Sequence, residues 1–373
     1  MSEGLTPTPT LKNRCVATNT KDLDIMAPKK VLIIGPGYIG WNVLELLARE
    51  NYAVTGFVRR REHGEQIRAS GASEVVCGEL GDAALLAALA AAHDAVIHTA
   101  GADHLASVEA VLAGARRRAD AGLASVFIHT SGTAMTADGA AGAFRSDRVH
   151  DDDGPAAVDA LPDDAPHRPV DRRIVAEARR IGPRARVAIM IPPTVYGVNP
   201  RHDGRLSMQI PTLVRHAARH GYAGHVGAGL SVHSNVHVLD LARAYVALLH
   251  ELESSGPDGG EDGGDGGGGG DGNWNPYCFC EATGDDEPSW RDIAAAIGRA
   301  LHAAGVVADP TPRTIPPGPE YDDLEGPNTE AGLGMNSRTR AVRLRRLGWA
   351  PVEKGWEASL VEDELPLILG QRA

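Results

Sequence analysis

From Val31 to Gly40 the chain reads Val-Leu-Ile-Ile-Gly-Pro-Gly-Tyr-Ile-Gly, an apolar run leading straight into a Gly-x-Gly-x-x-Gly turn. Behind the turn, Val43, Leu44, Leu46 and Leu47 recur at helical spacing, so the segment reads strand, tight bend, helix. Each glycine has its own steric task. Gly35 permits the bend out of the strand, Gly37 lets backbone approach a pyrophosphate with no Cβ between, and Gly40 lets helix and strand pack closely. At the helix start, around Tyr38 and Ile39, unpaired N–H groups and the positive end of the helix dipole face the same place. This context predicts a dinucleotide site; a glycine turn without a ligand is the alternative.

The rest of the chain keeps the rhythm. Residues 53–58, 73–77, a run beginning at Asp94, 125–129 and 186–191 read as further strands, and 83–92, 106–119 and 170–181 as helices. Alternation of this kind predicts an α/β fold: a Rossmann doubly wound parallel sheet with a smaller C-terminal substrate lobe, and ligands at the carboxyl ends of the strands. Residues 138–168, rich in Asp, Gly, Ala and Pro, read as an irregular excursion at the active-site edge. Beyond it come a helix over 211–220, a short strand passing into a helix over 236–251 with Asp240 as its cap, a strand over 277–281 and a helix over 289–304. Residues 337–347 and a last helix over 356–369 close the lobe. Ser254–Gly272 holds eleven glycines in nineteen residues and reads as a disordered loop. The expected division is a disordered segment 1–28, a dinucleotide-binding core 29–200, and residues 201–373 mainly as substrate lobe, with some elements returning to the core sheet.

A formal charge of -12, part of it in the glycine-rich loop, argues against nucleic acid as a partner. No apolar run reaches the roughly 18 residues of a membrane helix, and residues 1–25 lack the apolar core of a signal peptide. Met26 is an alternative start. Cys15, Cys77, Cys278 and Cys280 lack metal-ligand or Cys-x-x-Cys spacing and read as reduced thiols, which implies a cytoplasmic protein. His233 and His237 have no third ligand at metal spacing, so no metal is predicted.

The ordered set of motifs resembles the extended short-chain dehydrogenase/reductase superfamily, which contains nucleotide-sugar epimerases and dehydratases. Its marks here are the glycine turn, Thr99-Ala100-Gly101 after strand four, Thr130-Ser131 after strand five, Pro193-Thr-Val-Tyr-Gly197 after strand six, and Val236-His-Val-Leu-Asp-Leu-Ala242. The first glycine spacing is one residue shorter than the usual one and resembles the atypical branch and NmrA-like relatives. The resemblance implies that Glu79 and Leu80 contact adenine, that Thr99, Ala100 and Gly101 pass under the cofactor with Thr130 and Pro193 nearby, and that Ser131 hydrogen-bonds a substrate oxygen. It also implies a small-molecule substrate and a homodimer built on helices beside strands four and five.

The family's Tyr-x-x-x-Lys pair is where the resemblance breaks. Aligning Ala176-Glu177 with the family puts Pro169 at the tyrosine and Arg173 at the lysine. The lysines are Lys12, Lys21, Lys29, Lys30 and Lys354, all far from this helix in sequence, and arginine stays protonated. Among the neighbours, His167 titrates near neutral pH and is the replacement acid or base, with a solvated loop histidine as the alternative. Ser131 is either the substrate's hydrogen-bond donor or a cap on the next turn. Arg59 and Arg60 end strand two where NAD-specific folds carry an acid; they favour a 2′-phosphate and hence NADP over NAD, a solvated basic turn being the other reading. Tyr196, His98 and His129 read as packing residues, and Ser207 and Gln209 as residues that could line a substrate pocket. Two functions stay open: an NAD(P)-dependent oxidoreductase or epimerase/dehydratase-like enzyme with an altered acid/base set, and a catalytically silent dinucleotide sensor.

Overall fold

In the first strand, β1 (Lys30–Ile34), alternate side chains face opposite sides, yet every residue after Lys30 is buried. A strand apolar on both faces needs cover on both, which imposes layers. The computed structural model, which describes Met1 and residues 27–202, 204–254, 274–284 and 287–370, has them. β1 joins β2 (Ala53–Val58), β3 (Glu74–Cys77), β4 (Ala95–His98), β5 (Ser125–Thr130), β6 (Ala185–Ile191) and β7 (Tyr277–Phe279) in a sheet ordered β3-β2-β1-β4-β5-β6-β7. Its pairings are all parallel. The longer helices are α1 (Gly40–Arg49), α2 (Arg61–Ala69), α3 (Ala83–Ala92), α4 (Leu105–Asp120), α5 (Arg168–Ile181), α6 (Gln209–His220), α7 (Val238–Ser254) and α8 (Trp290–Ala303).

Val31 and Ile33 enter a core with Leu44 and Leu47 of α1 and Leu241, Tyr245 and Leu248 of α7. Leu32 and Ile34 enter the opposite core, with Leu86 of α3, Val108 of α4 and Ile174 of α5. A third cluster, including Leu213 of α6 and Ile297 of α8, lies in the second lobe. Among the described residues no helix is long and apolar enough to cross a membrane.

The strand order reverses between β1 and β4, and Ile34 pairs with both Phe57 and His98. The carboxyl ends of β1, β2 and β4 are therefore level, which opens a crevice at the reversal. Gly35 makes the bend there with φ +78°, and a Cβ on it would lie 2.6 Å from the Cα of Ala100.

Three expectations need correction. Asp240 is not a helix cap: it sits inside the first turn of α7, where its carboxylate accepts from the Val352 and Glu353 N–H groups at 2.9 and 3.2 Å and from Arg243. It thus ties the C-terminal segment to the core. The excursion 138–168 is not wholly irregular. His150–Asp151 pairs with Thr339–Arg340, and the buried Asp152 carboxylate accepts from Phe279, Val342 and Arg343 N–H at 2.8, 2.7 and 3.1 Å. The last helix is interrupted by a π-turn at Leu360–Glu364, between Trp356–Ser359 and Leu365–Gly370. Cys15, Met26 and residues 255–272 of the glycine-rich stretch lie outside the described residues.

The two glycines of the bend should respond differently to a methyl group. Gly35→Ala incurs the left-handed penalty of about 1–2 kcal/mol per residue plus an overlap with backbone, and thermal melting should register a loss of at least ~2 kcal/mol. Gly37→Ala, whose Cβ would meet only the Gly35 carbonyl oxygen at 3.8 Å, should melt like the wild type.

Candidate dinucleotide and catalytic site

The crevice is a cavity of about 510 Å³ walled by Gly35, Pro36 and Gly37 of the bend, Arg59 and Arg60 after β2, Glu79 and Leu80 after β3, and Thr99, Ala100 and His104 after β4. Eight of the residues singled out in the sequence therefore meet at one place. Thr99 locks the bend by donating its hydroxyl to the Gly35 carbonyl at 2.8 Å, and Gly40 leaves no room for a Cβ beside that hydroxyl. The N-terminus of α1 carries no side-chain cap and no acid in its first turn. An open Gly37, an uncapped helix start and no side chain plugging the bend are what a pyrophosphate requires, so the residues present fit a dinucleotide. The remaining members of the set stand outside this wall. Tyr38 reaches away to donate to the Gly197 carbonyl at 2.6 Å, Ile39 packs against the α1 core, and the Thr130 hydroxyl pairs with the Tyr245 hydroxyl at 2.6 Å. Gly101 and the buried Pro193 also lie off the lining.

Sequence reasoning missed Arg205, which comes from the loop before α6 to the same wall as Arg59 and Arg60. Its guanidinium lies over the Trp41 ring, 5.1 Å from the centroid, and donates to His63 Nδ1 at 3.0 Å. That fixes the tautomer of His63, whose Nε2–H donates to the Pro36 carbonyl in the bend at 2.6 Å. Burial, and then the charge of Arg60, push the Arg205 pKa down. No local pattern marks Arg205, because it converges from a separate loop.

Deeper in, the start of α5 decides which side chains face the end of β5. Pro169 is exposed, and Arg173 is turned to Glu109 at 3.1 Å and Glu177 at 3.8 Å. The inward residues four apart are His167 and Asp171. Asp171 is fully buried and accepts the Ser131 hydroxyl at 2.8 Å, while its other oxygen has no partner among the described residues. Burial pushes its carboxyl up to about 7, against the Ser131 hydrogen bond and the Arg168 charge, which pull it down. Ser131 does not cap the turn Thr133–Thr136 that follows it.

His167 has φ 68°, rare for a side-chain-bearing residue. Its Nδ1–H donates to Asp103 at 2.9 Å, and Nε2 lies over Gly132, where a Cβ would be 3.1 Å away. Asp103 fixes the tautomer and leaves Nε2 as the free nitrogen. The loop after β4 therefore walls the cavity with Thr99 and Ala100 and orients His167 with Asp103.

The other histidines are structural. His98 and His129 are fully buried, bonded to the Ser107 hydroxyl at 2.8 Å and the Ala102 carbonyl at 3.2 Å; burial pushes His98 down to about 4 and holds His129 well below the usual histidine range. His233 donates to the Met335 carbonyl at 2.8 Å, and His237 Nδ1 accepts from the Leu239 N–H at 3.2 Å. Tyr196 donates to the Lys354 carbonyl, and Arg168 is buried against the Tyr277 hydroxyl at 3.2 Å. A second cavity of about 370 Å³ is walled by Met135, Thr136, Arg148, Pro166, Asn336 and Arg338; Pro166 precedes His167 in the chain, and neither Ser131 nor His167 is on the wall. Ser207 and Gln209 are not on it.

Comparison with known proteins agrees with this geometry. A family model described as NAD(P)H-binding matches residues 35–145, and that of the NAD dependent epimerase/dehydratase family matches residues 171–259. The chain is 31% identical over 334 residues to the oxidase ucsJ of an Acremonium species, covering 87% of this chain and 93% of that one. Its fold is similar to UDP-glucose 4-epimerase with UDP-glucose from Thermotoga maritima, at TM-score 0.60 and 16% identity over 92% of this chain and 99% of the other. It is similar as well to dTDP-glucose 4,6-dehydratase with NAD from Bacillus anthracis, at TM-score 0.62 and 15% identity over 90% and 96%. The matches to these two family models and the 31% identical relative, on a fold with the glycine bend and the reversed strand order, place the chain in the NAD dependent epimerase/dehydratase family.

Proposed function

We propose that the protein is an NADP-dependent oxidoreductase acting on a small carbonyl or alcohol substrate, with His167 as its acid/base and Ser131 as the donor to the substrate oxygen. The observation that carries this reading is the convergence of the Ser131–Asp171 and His167–Asp103 pairs at the end of β5, with the chain neighbours Pro166 and His104 on the walls of the two cavities. Gly35, Gly37, Thr99 and Ala100 would hold the cofactor, with Glu79 and Leu80 at its adenine end. When bound, the nicotinamide supplies or accepts a hydride. His167 Nε2 takes the proton of an alcohol oxygen, or returns it to a carbonyl oxygen, and Asp103 stabilises the imidazolium that forms. The substrate enters from the 370 Å³ cavity, where Arg148 has no acidic partner among the described residues and is available to an anionic group.

NADP is favoured over NAD by electrostatics. Arg59, Arg60 and Arg205 line the same cleft, and burial, then the charge of Arg60, lower the Arg205 pKa, so an added counter-charge there is favourable. A 2′-phosphate supplies it. Fluorescence titration should show NADPH bound more tightly than NADH, and Arg60→Ala with Arg205→Ala should reduce that preference by about 1–3 kcal/mol, or roughly 5- to 150-fold. An unchanged preference removes the NADP assignment.

Ser131 can donate to substrate only while its own proton is not committed to Asp171. Ionised Asp171 accepts that proton; protonated Asp171 donates to Ser131 and frees the serine O–H. With the carboxyl near 7, carbonyl reduction should fall as pH rises through about 7, and Asp171→Asn should flatten that limb. Stability carries the same sign: the folded pKa lies above the unfolded one of 3.8, so the unfolded chain releases its proton first and stability is lost between about 4 and 7. Denaturant melts should show Asp171→Asn gaining ~1 kcal/mol or more over the wild type across that window.

His167→Ala should lower turnover by about 10²- to 10⁴-fold with NADPH affinity unchanged, measured as absorbance at the nicotinamide band. Tight NADPH binding without turnover on carbonyl, alcohol and nucleotide-sugar panels would replace this reading with the silent sensor.

A further inference from the structure

Away from both cavities, α6 carries His216 and His220 one turn apart, on a shared face with their rings stacked at 4.4 Å. Over them folds the short turn Pro319–Asp323. Glu320 Oε2 lies 3.3 Å from His216 Nε2 and 3.7 Å from His220 Nδ1. The three ligand-type atoms all fall within 4.8 Å of one another. We propose that His216, His220 and Glu320 form a structural site for one divalent transition-metal ion of the zinc class.

The spacing is the first argument. Ligand bonds of about 2.0–2.1 Å in a tetrahedral zinc site place donor atoms roughly 3.3–3.4 Å apart, which the two histidine-to-glutamate separations nearly match. The state of His216 is the second, independent argument. Its side chain is fully buried, and neither ring nitrogen has a hydrogen-bond partner among the described residues, although Nε2 is close to Glu320. A buried imidazole left unpaired is costly, and an ion between Nε2 and the carboxylate would remove that cost.

The surroundings suit a metal. His220 Nε2 donates to Asp323 at 2.8 Å, which turns Nδ1 toward the site in the manner of a carboxylate-oriented ligand. Tyr222 donates to Glu320 and Arg219 pairs with Asp323, so both carboxylates are held in place. His220 and Glu320 are 23% and 27% exposed, which leaves the fourth position to water. An ion here would clamp residues 319–323 onto α6 beside the strand pair Gly224–His225 and Arg313–Thr314. Spacing alone shows only the His-x-x-x-His pair, which gains its third ligand from a turn far along the chain. This differs from the expectation of no metal, which considered His233 and His237.

The full-length protein, freed of metal by a chelator, is titrated with CoCl₂ and then ZnCl₂. One equivalent of cobalt should give the intense visible bands of a four-coordinate ion, zinc should displace it, and zinc should raise the melting temperature. Glu320→Gln, at a half-exposed position, should weaken zinc binding at least about tenfold while the apo protein melts as before. His216→Leu should abolish the zinc-dependent rise in melting temperature and leave the metal-free protein no less stable. A weak six-coordinate cobalt spectrum, or a zinc affinity that Glu320→Gln leaves unaltered, overturns the proposal.

Discussion

Gly35 lies so close to Ala100 that no side chain fits between them, and much of the candidate site follows from that approach. It holds the bend after β1 against the loop after β4, and the same loop supplies Thr99 to lock the bend and Asp103 to orient His167. His104 closes the loop by accepting from the Ser107 N–H at the start of α4. The candidate cofactor cradle and the proposed acid/base are thus held by a single short segment. A displacement of the bend would be transmitted to the imidazole through the Thr99–Gly35 hydrogen bond, the short segment 99–103 and the Asp103–His167 hydrogen bond.

A second linkage runs to the C-terminal part of the molecule. Tyr38, at the start of α1, donates to the Gly197 carbonyl, while the Gly197 N–H donates to Glu364 in the π-turn of the closing helix. Gly197 has φ +88°, and a Cβ there would strike the His237 ring, so the junction tolerates only glycine. Burial pushes Glu364 up to about 7 against the pull of the Gly197 hydrogen bond. Asp240 and Asp152 make comparable ties, each a buried carboxylate holding main-chain N–H groups of a distant segment. The second lobe is joined to the sheet by these charge-assisted hydrogen bonds together with the packing of Ala341, Leu344 and Trp349 into the core of β1 and α7.

The fold was legible because its signals are local. The bend needs glycines at fixed offsets, and β2 and α3 are bounded as their composition predicts, at Ala53–Val58 and Ala83–Ala92. The cleft residues were legible for the same reason, since each follows directly on a strand end. What escaped was convergence. Arg205 and Glu320 act on residues far away in sequence, and nothing near them records it. The register of α5 escaped for a different reason: matching Ala176-Glu177 to the family selects Pro169 and Arg173, but the buried face of this helix runs through Val170, Asp171, Ile174, Val175 and Ala178. Burial periodicity, once the helix start is known, selects His167 and Asp171 instead.

That register carries a chemical consequence. In the family's pair a lysine ammonium favours the ionised tyrosine, so the site is built around a cation that makes a hydroxyl more acidic. Here the inward positions hold an imidazole and a buried carboxyl, and the nearest guanidinium, Arg168, is spent on Tyr277 in the core. In the proposed reaction the donor next to the substrate is a serine hydroxyl whose direction depends on whether Asp171 holds a proton, and a proton is exchanged at His167 Nε2 above Gly132. Gly132 is small because the imidazole occupies the space a side chain would need. On this proposal His167 and Asp171, one helical turn apart, face the end of β5 in place of the family's hydroxyl and ammonium.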